Sequence, residues 1–326
     1  MGTADRPDAL DRISIVVPVF NEVSVIRQSW ERLRQLPGLV DREIEIVLVD
    51  DGSTDGTTEI LESIASASWP GITVRLQIFS RNFGHSAAVL AGLQVATGDP
   101  VAILDADLQD PPELLPQMLS VLRSGDCDVV YGKRIRRAGE SLFKRATAWA
   151  FYRLWNRLVG VVIPADTGDF RVMTRQVCTA VLRCGENDPF LRGLVSWVGF
   201  RQKPFPYVRD PRTSGRTKYT LGRMLDFAGM AVISFSTRPL RLALYLGLLG
   251  LFAGLLLGGW ACWCWIIGST VRGWASLLAG LSLVQSFTLL LVGIQGLYIA
   301  RIHEEAKDRP RFIVRKDSAG HTESTG

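Results

Sequence analysis

The sequence predicts an α/β domain built on a mostly parallel sheet, followed by an interfacial helix and a hairpin of two membrane-spanning helices. Three observations predict it. Short β-branched runs alternate with helical periodicities from about residue 12 to 215, the pattern of strands whose connecting helices cover both faces of a sheet. Two uncharged runs follow, Leu242–Ile267 and Trp274–Ala300, each longer than the roughly 20 residues that cross a hydrocarbon core as a helix. Polar and glycine residues also gather at the carboxyl ends of successive strand runs, where open α/β sheets bind ligands.

The elements follow in order. A polar tail over 1–11 leads straight into a strand and has no signal-peptide pattern. Ile13–Val19 is the first strand run, with Asn21 and Glu22 just beyond it. Glu45–Val49 is the second and ends at Asp50-Asp51-Gly52-Ser53. Thr73–Phe79 is the third and ends at Ser80-Arg81-Asn82. Val101–Leu104 is the fourth and ends at Asp105-Ala106-Asp107, and Val129–Tyr131 is the fifth. Helical periodicities fill the intervals at Val23–Leu36, Thr57–Ala67, His85–Ala96 and Pro112–Arg123. This layout makes Asn21, Glu22, Asp50, Asp51, Asp105 and Asp107 converge on one site although they are far apart in the chain.

Beyond the α/β domain, over 12–218, lies Tyr219–Ser236, an apolar segment interrupted by Arg223 and Asp226. It reads as an amphipathic helix on a membrane surface, within 219–238, or as a core helix of the preceding domain. The hairpin occupies 239–301 and a tail takes 302–326, of which Lys316–Gly326 is polar and expected to be disordered. Arg238 and Arg241 precede the first span, Arg301, Lys307, Arg309 and Arg311 follow the second, and the connecting turn holds only Arg272. The positive-inside rule then places both termini and the α/β domain in the cytoplasm, as a two-span protein of the inner membrane. Gly247, Gly250, Gly254, Gly293 and Gly296 permit close helix packing and a homo-oligomer.

Composition narrows the function. The 326 residues carry a net charge of +5, with 47% hydrophobic and 21% charged, which excludes a disordered chain. Cys127, Cys178, Cys184, Cys262 and Cys264 form no CxxC pair, so neither a disulfide framework nor a zinc site is expected. No Walker A sequence and no GxGxxG after a strand is present. His85, after Gly84 at a helix start, reads as a capping or packing residue rather than a base. Asp105, Asp107 and Gln109 alternate, so in an extended segment they share one side. Two carboxylates and an amide suit Mg2+ or Mn2+ with positions left for substrate phosphates. The same segment also reads as a polar turn with Asp110 capping the helix near Pro112. Arg134, Arg136, Arg137, Lys144 and Arg145 form a basic stretch before the aromatic-rich Trp149–Leu158. It reads as a site for an anionic lipid head at a membrane surface, or as a solvated helix face; no nucleic-acid motif accompanies it.

At this point the sequence resembles glycosyltransferase family 2. The likeness rests on Ile15–Glu22 (IVVPVFNE), Val49–Thr57 (VDDGSTDGT), Arg81–Gly84 (RNFG), Asp105–Glu113 (DADLQDPPE) and the loop Arg212–Tyr219 (RTSGRTKY). It runs from about Ile13 to Val314, hairpin included. The match is to polyprenyl-phosphate sugar transferases, among them dolichol-phosphate mannose synthases. Tyr131–Arg134, Asp166–Arg171, Phe190–Leu194, Trp197–Phe200 and Phe235–Arg241 bring it nearest to the Gtr-type bactoprenol glucosyltransferases.

The resemblance implies a GT-A (Rossmann-like) catalytic domain and a set of roles. Pro18, Phe20 and Glu22 bind base and ribose, with Phe20 where many relatives have Tyr. Val49, Asp50 and Asp51 do so from the second strand. Asp105, Ala106, Asp107 and Gln109 hold metal and diphosphate, and Arg212 and Lys218 close over the phosphates. Arg134, with Arg137, Lys144 and Arg145, meets the lipid phosphate. The candidate catalytic residues are Asp107, Asp169 and Arg134, with Asp169 a base, a sugar ligand or a structural partner of Arg171. The implied reaction is an inverting, metal-dependent transfer of a hexose, glucose from UDP-glucose, to polyprenyl (undecaprenyl) phosphate at the cytoplasmic membrane face. GDP-mannose or a UDP-aminosugar as donor, and a non-enzymatic nucleotide-sugar-binding scaffold, stand as alternatives.

Overall fold

The near-continuous apolar runs at the first strand positions are those of strands buried on both faces, and they form the middle of a single sheet. The computed structural model describes residues 12–38, 40, 42–107, 109–135, 167–186, 190–208, 238–267 and 273–318. The chain divides into one unit over 1–146, 162–218 and 309–326 and a second over 147–161 and 219–308.

In the first unit the described strands are β1 (Arg12–Val19), β2 (Glu43–Asp50), β3 (Ile72–Phe79), β4 (Val101–Ile103), β5 (Val129–Arg134), β6 (Thr167–Met173), β7 (Gln202–Tyr207) and β8 (Val314–Asp317). They form a sheet of order β7-β5-β6-β4-β1-β2-β3-β8. β1 pairs in parallel with β2 and β4, and β2 with β3. Helices α1 (Ile26–Leu33), α2 (Thr57–Ser66), α3 (His85–Val95), α4 (Leu115–Arg123), α5 (Arg175–Leu182) and α6 (Leu191–Trp197) cover it. All five strands and four helices expected from the sequence are present.

Strand alternation sorts the core into two layers. Ile13, Ile15, Val17 and Val19 of β1 join Ile26, Trp30, Leu61 and Met118 from α1, α2 and α4 on one face. Val16 joins Val47, Val49, the buried residues of α3, and Val177 and Val195 of α5 and α6 on the other. α3 lies against the sheet closely enough that a Cβ on Gly92 would stand 2.2 Å from Val16 Cγ1.

Three strands go beyond the sequence expectation. β6 inserts antiparallel between β4 and β5, and β7 extends that edge in parallel with β5. At the other edge β8 pairs antiparallel with β3. The stretch over 302–326, expected as a tail, is therefore ordered in part. Its Asp317 is bound by Arg75 (2.9 Å) and Gln77 (3.0 Å), and the Ser318 N–H donates to the Leu76 carbonyl (2.9 Å).

In the second unit, α7 (Arg238–Ile266) and α8 (Trp274–Ala306) coincide with the two apolar runs. A Cβ on Gly247 would lie 3.9 Å from Leu291. The membrane crossing expected for them is not shown. Among the described residues no helix is long and apolar enough to cross a membrane. The N-terminal tail over 1–11, the turn over 268–272, almost all of the interfacial segment over 219–238, and Trp149–Leu158 lie outside the described residues.

Candidate active site

The carboxyl ends of β1, β2 and β4 open onto a cavity of about 370 Å3, whose wall includes Pro18, Phe20, Glu22, Asp51, Asn82, Gly84, His85, Asp105, Ala106 and Asp107. The loops around it are tied to one another. Asn21, in the left-handed region at φ 53°, donates its N–H to Ser53 Oγ (2.9 Å) and accepts the Thr54 N–H on Oδ1 (2.9 Å). Asn tolerates that conformation better than most residues. The Glu22 N–H donates to Thr57 Oγ1 (3.0 Å) and the Val23 N–H to Asp55 Oδ2 (3.2 Å). Phe20 remains 41% exposed at the mouth, a flat apolar surface beside the carboxylates.

Asp50 ends β2 and Asp51 lies just beyond it, and the two neighbours have different partners. Asp50 is fully buried, accepts the Ser53 N–H (3.0 Å) and the Thr58 hydroxyl, and secures the turn into α2. Asp51 reaches the cavity wall and accepts the backbone N–H groups of Phe83 (2.6 Å) and Gly84 (3.0 Å). Burial raises its carboxyl pKa, against the pull of these two bonds. Val49 lies in the buried layer beneath α3, so neither it nor Asp50 forms part of the wall.

Asp105 and Asp107 line the cavity, while Gln109 is buried away from it and donates its N–H to Asp107 Oδ1 (3.1 Å). Ser29 on α1 donates its hydroxyl to the Ala106 carbonyl and holds the segment down. Asp110 does not cap the following helix, whose first turn has no side-chain cap. It is fully buried and accepts the Tyr207 hydroxyl. Among the described residues no group of three or more His, Cys, Asp and Glu side chains could enclose a metal. The two carboxylates nonetheless fit a cation that takes most of its ligands from substrate and water. Among the described residues Asp105 Oδ1 is buried and has no hydrogen-bond partner. Burial pushes the Asp105 carboxyl up to about 6; His85 opposes the rise, and Asp169, Asp110 and Asp107 add to it. A cation there would relieve both conditions.

His85, read from the sequence as packing, lies in the wall. Its Nε2 stands 3.2 Å from Asp169 Oδ2 and 3.7 Å from Asp105 Oδ1. Burial alone would lower the imidazole pKa, but the bond to Asp169 and the charges of Asp105 and Asp169 outweigh it and raise it. Asp169, on β6, is nearly surrounded by donors. Arg192 reaches both its oxygens (3.0 and 3.1 Å) and Arg171 approaches Oδ1 at 3.5 Å. Burial raises its pKa, and these cations with His85 more than reverse that, holding the carboxyl well below the usual range. Asp169 stays ionised and anchors His85. The long-range convergence of α3, β6 and α6 on this carboxylate had no local signal in the sequence.

Arg134 lies at the end of β5, over Gly168, where a Cβ would stand 2.6 Å from its Nη2. It donates through Nε to Tyr207 Oη (3.4 Å), and Nη2 lies 4.0 Å from Asp110 Oδ2. It is thus joined to the 105–110 segment through Tyr207 and Asp110, but is not part of the cavity wall. Arg137, Lys144, Arg145, Arg212 and Lys218 lie outside the described residues.

Comparison with known proteins agrees with this arrangement. The model for "Glycosyl transferase family 2" matches residues 14–182. A glycosyltransferase of Bacillus subtilis (strain 168), described as uncharacterized, is 44% identical over 93% of this chain and 93% of its own. The SfII prophage-derived bactoprenol glucosyl transferase of Shigella flexneri is 37% identical over 95% and 99%. A mannosyltransferase from Pyrobaculum calidifontis, solved with GDP-Man and Mn2+, shares the fold at TM-score 0.50 and 18% identity, over 93% of this chain and 90% of that one. With the family model on more than half of its length and such relatives along nearly all of it, the chain belongs to glycosyl transferase family 2 and is a glycosyltransferase.

Proposed function

We propose that this enzyme transfers glucose from UDP-glucose to polyprenyl (undecaprenyl) phosphate, with inversion and with a divalent cation, at the cytoplasmic face of the membrane. The observation that carries the reading is the cavity itself. Exposed Phe20 and the carboxylates of Glu22, Asp51, Asp105 and Asp107 share one wall, and relatives 37% identical along nearly the whole chain are named bactoprenol glucosyl transferases.

The chemistry follows from these groups. An oxygen of the lipid phosphate attacks the anomeric carbon of the sugar as the bond to the nucleoside diphosphate breaks, and the diphosphate leaves with the bonding electrons. A lipid phosphate with a second pKa of about 6 is already an anion and needs little help from a base. That suits Asp169, which is occupied by His85, Arg192 and Arg171. Asp105 and Asp107 are the residues that would hold Mg2+ or Mn2+, whose chemistry here is to neutralise charge growing on the departing diphosphate. Arg134 and the basic residues Arg137, Lys144 and Arg145 serve the acceptor phosphate, and Arg212 and Lys218 the diphosphate.

A lipid acceptor places the enzyme at a bilayer. Support comes from the uncharged runs 242–267 and 274–300, their Arg and Lys flanks, and the exposed Leu244, Leu248, Phe252, Leu255 and Trp260 on α7. The test is transfer of labelled sugar to undecaprenyl phosphate by the full-length protein in detergent. UDP-glucose, GDP-mannose and UDP-N-acetylglucosamine run in parallel, with Mg2+, with Mn2+ and with EDTA. Labelled lipid from UDP-glucose alone, lost with EDTA, is the expected result. Product from another donor only, or none from folded protein, overturns the assignment.

A further inference from the structure

The segment after α8 returns to the first unit, and its contacts lead toward the cavity. Phe312 stacks on Phe79, with ring centroids 5.0 Å apart and planes 8° apart. Phe79 meets Phe83 edge-on at 5.7 Å and 88°. Phe83 carries the guanidinium of Arg81 over its ring at 4.0 Å, and its N–H donates to Asp51 at 2.6 Å. Asp51 lines the cavity with Asn82, Gly84 and His85. The strand pairing holds the near end of this chain of contacts: the Ser80 N–H donates to the Ile313 carbonyl at 3.0 Å, and Asp317 is held by Arg75 and Gln77.

We propose that Phe312 is a positioning residue for the nucleotide-sugar donor. Stacked on Phe79, it fixes Phe83 and thereby the loop from Arg81 to His85 that carries one side of the cavity and holds Asp51. Neither ring of the stack lines the cavity, so its effect falls on the shape of the donor site and not on the transferring groups. Loss of the ring frees Phe79 and Phe83 to rotate, loosens the two backbone bonds to Asp51, and weakens donor binding while leaving the bound complex competent. The inference rests on the reading of the cavity as the donor site.

The test compares wild type, Phe312→Ala, Phe312→Tyr and Met118→Ala, all as full-length protein in detergent. Met118 is fully buried in the opposite apolar layer, so its variant reports general loss of stability. Phe312→Ala is expected to raise KM for the donor about tenfold, the upper reach of an aromatic pair's contribution, with kcat changed less than twofold. Phe312→Tyr restores the stack and the wild-type KM, and Met118→Ala lowers the melting temperature without moving KM. Amide hydrogen exchange over residues 80–88 is expected to quicken in Phe312→Ala and not in Met118→Ala. Unchanged KM and unchanged exchange in Phe312→Ala overturn the inference, as does an equal rise of KM in Met118→Ala. If wild type turns over no nucleotide sugar, the donor reading fails, and the exchange measurement alone then decides whether Phe312 holds the loop.

Discussion

Gly52→Ala tests how closely the loops around the cavity are fitted. Gly52 has φ +70°, and a Cβ there would lie 2.5 Å from the Arg81 carbonyl carbon and 2.8 Å from both Arg81 Cα and Asn82 N. Real Cβ atoms do not approach closer than 3.0 Å, so the backbone of Arg81 and Asn82 must move. That backbone leads directly into the Phe83 and Gly84 amides that bind Asp51 at 2.6 and 3.0 Å. The left-handed conformation costs an alanine about 1–2 kcal/mol. Losing one bond to a carboxylate costs about 1.5–3 kcal/mol more. The sum of about 2.5–5 kcal/mol leaves most domains of ordinary stability, about 5–15 kcal/mol, folded but weakened. Thermal unfolding followed by tryptophan fluorescence, with KM for the nucleotide sugar, measures both consequences. Gly125→Ala is the comparison: φ is +79° but nothing lies within 4 Å of the added Cβ. It should lose only the conformational part, about 1–2 kcal/mol, with KM unchanged. A Gly52→Ala enzyme with the midpoint and KM of wild type would refute the packing argument.

Other perturbations have equally definite outcomes. Asp169→Asn removes the carboxylate 3.5 Å from buried Arg171 and should destabilise by about 3–5 kcal/mol in denaturant unfolding. Asp169 is held below its ordinary value, so its contribution is complete above the unfolded carboxyl pKa of about 4 and is lost as pH falls through the lower folded value. Acid unfolding of Asp169→Asn should accordingly be flatter than that of wild type. Tyr207→Phe removes the hydroxyl that donates to buried Asp110, and a melting shift equivalent to about 1–3 kcal/mol is expected. Asp107→Ala should lower transfer by about a hundredfold or more while the circular dichroism of the folded protein is kept.

The parallel strands β1 to β4, the helices between them and the family were all legible in the sequence, because each leaves a local trace. Buried strands are β-branched runs, amphipathic helices have a period of 3.6 residues, and ligand-binding ends of parallel strands collect polar residues. Those traces located Glu22, Asp51, Asp105 and Asp107, and the family resemblance added Pro18, Phe20 and Ala106; all seven are found in one wall. They could not separate Asp50 from Asp51, since the two differ only in the partners the fold gives them, the turn into α2 for Asp50 and the Phe83 and Gly84 amides for Asp51. Nor could they bring His85, Asp169 and Arg192 together, because α3, β6 and α6 meet only through antiparallel insertion of β6 beside β4. The same holds for β8, whose polar residues look like a tail until Arg75 and Gln77, more than two hundred positions earlier, supply partners for Asp317. Local periodicity determined which elements exist, and pairing between distant segments decided which carboxylates face the cavity and which are spent holding it in shape.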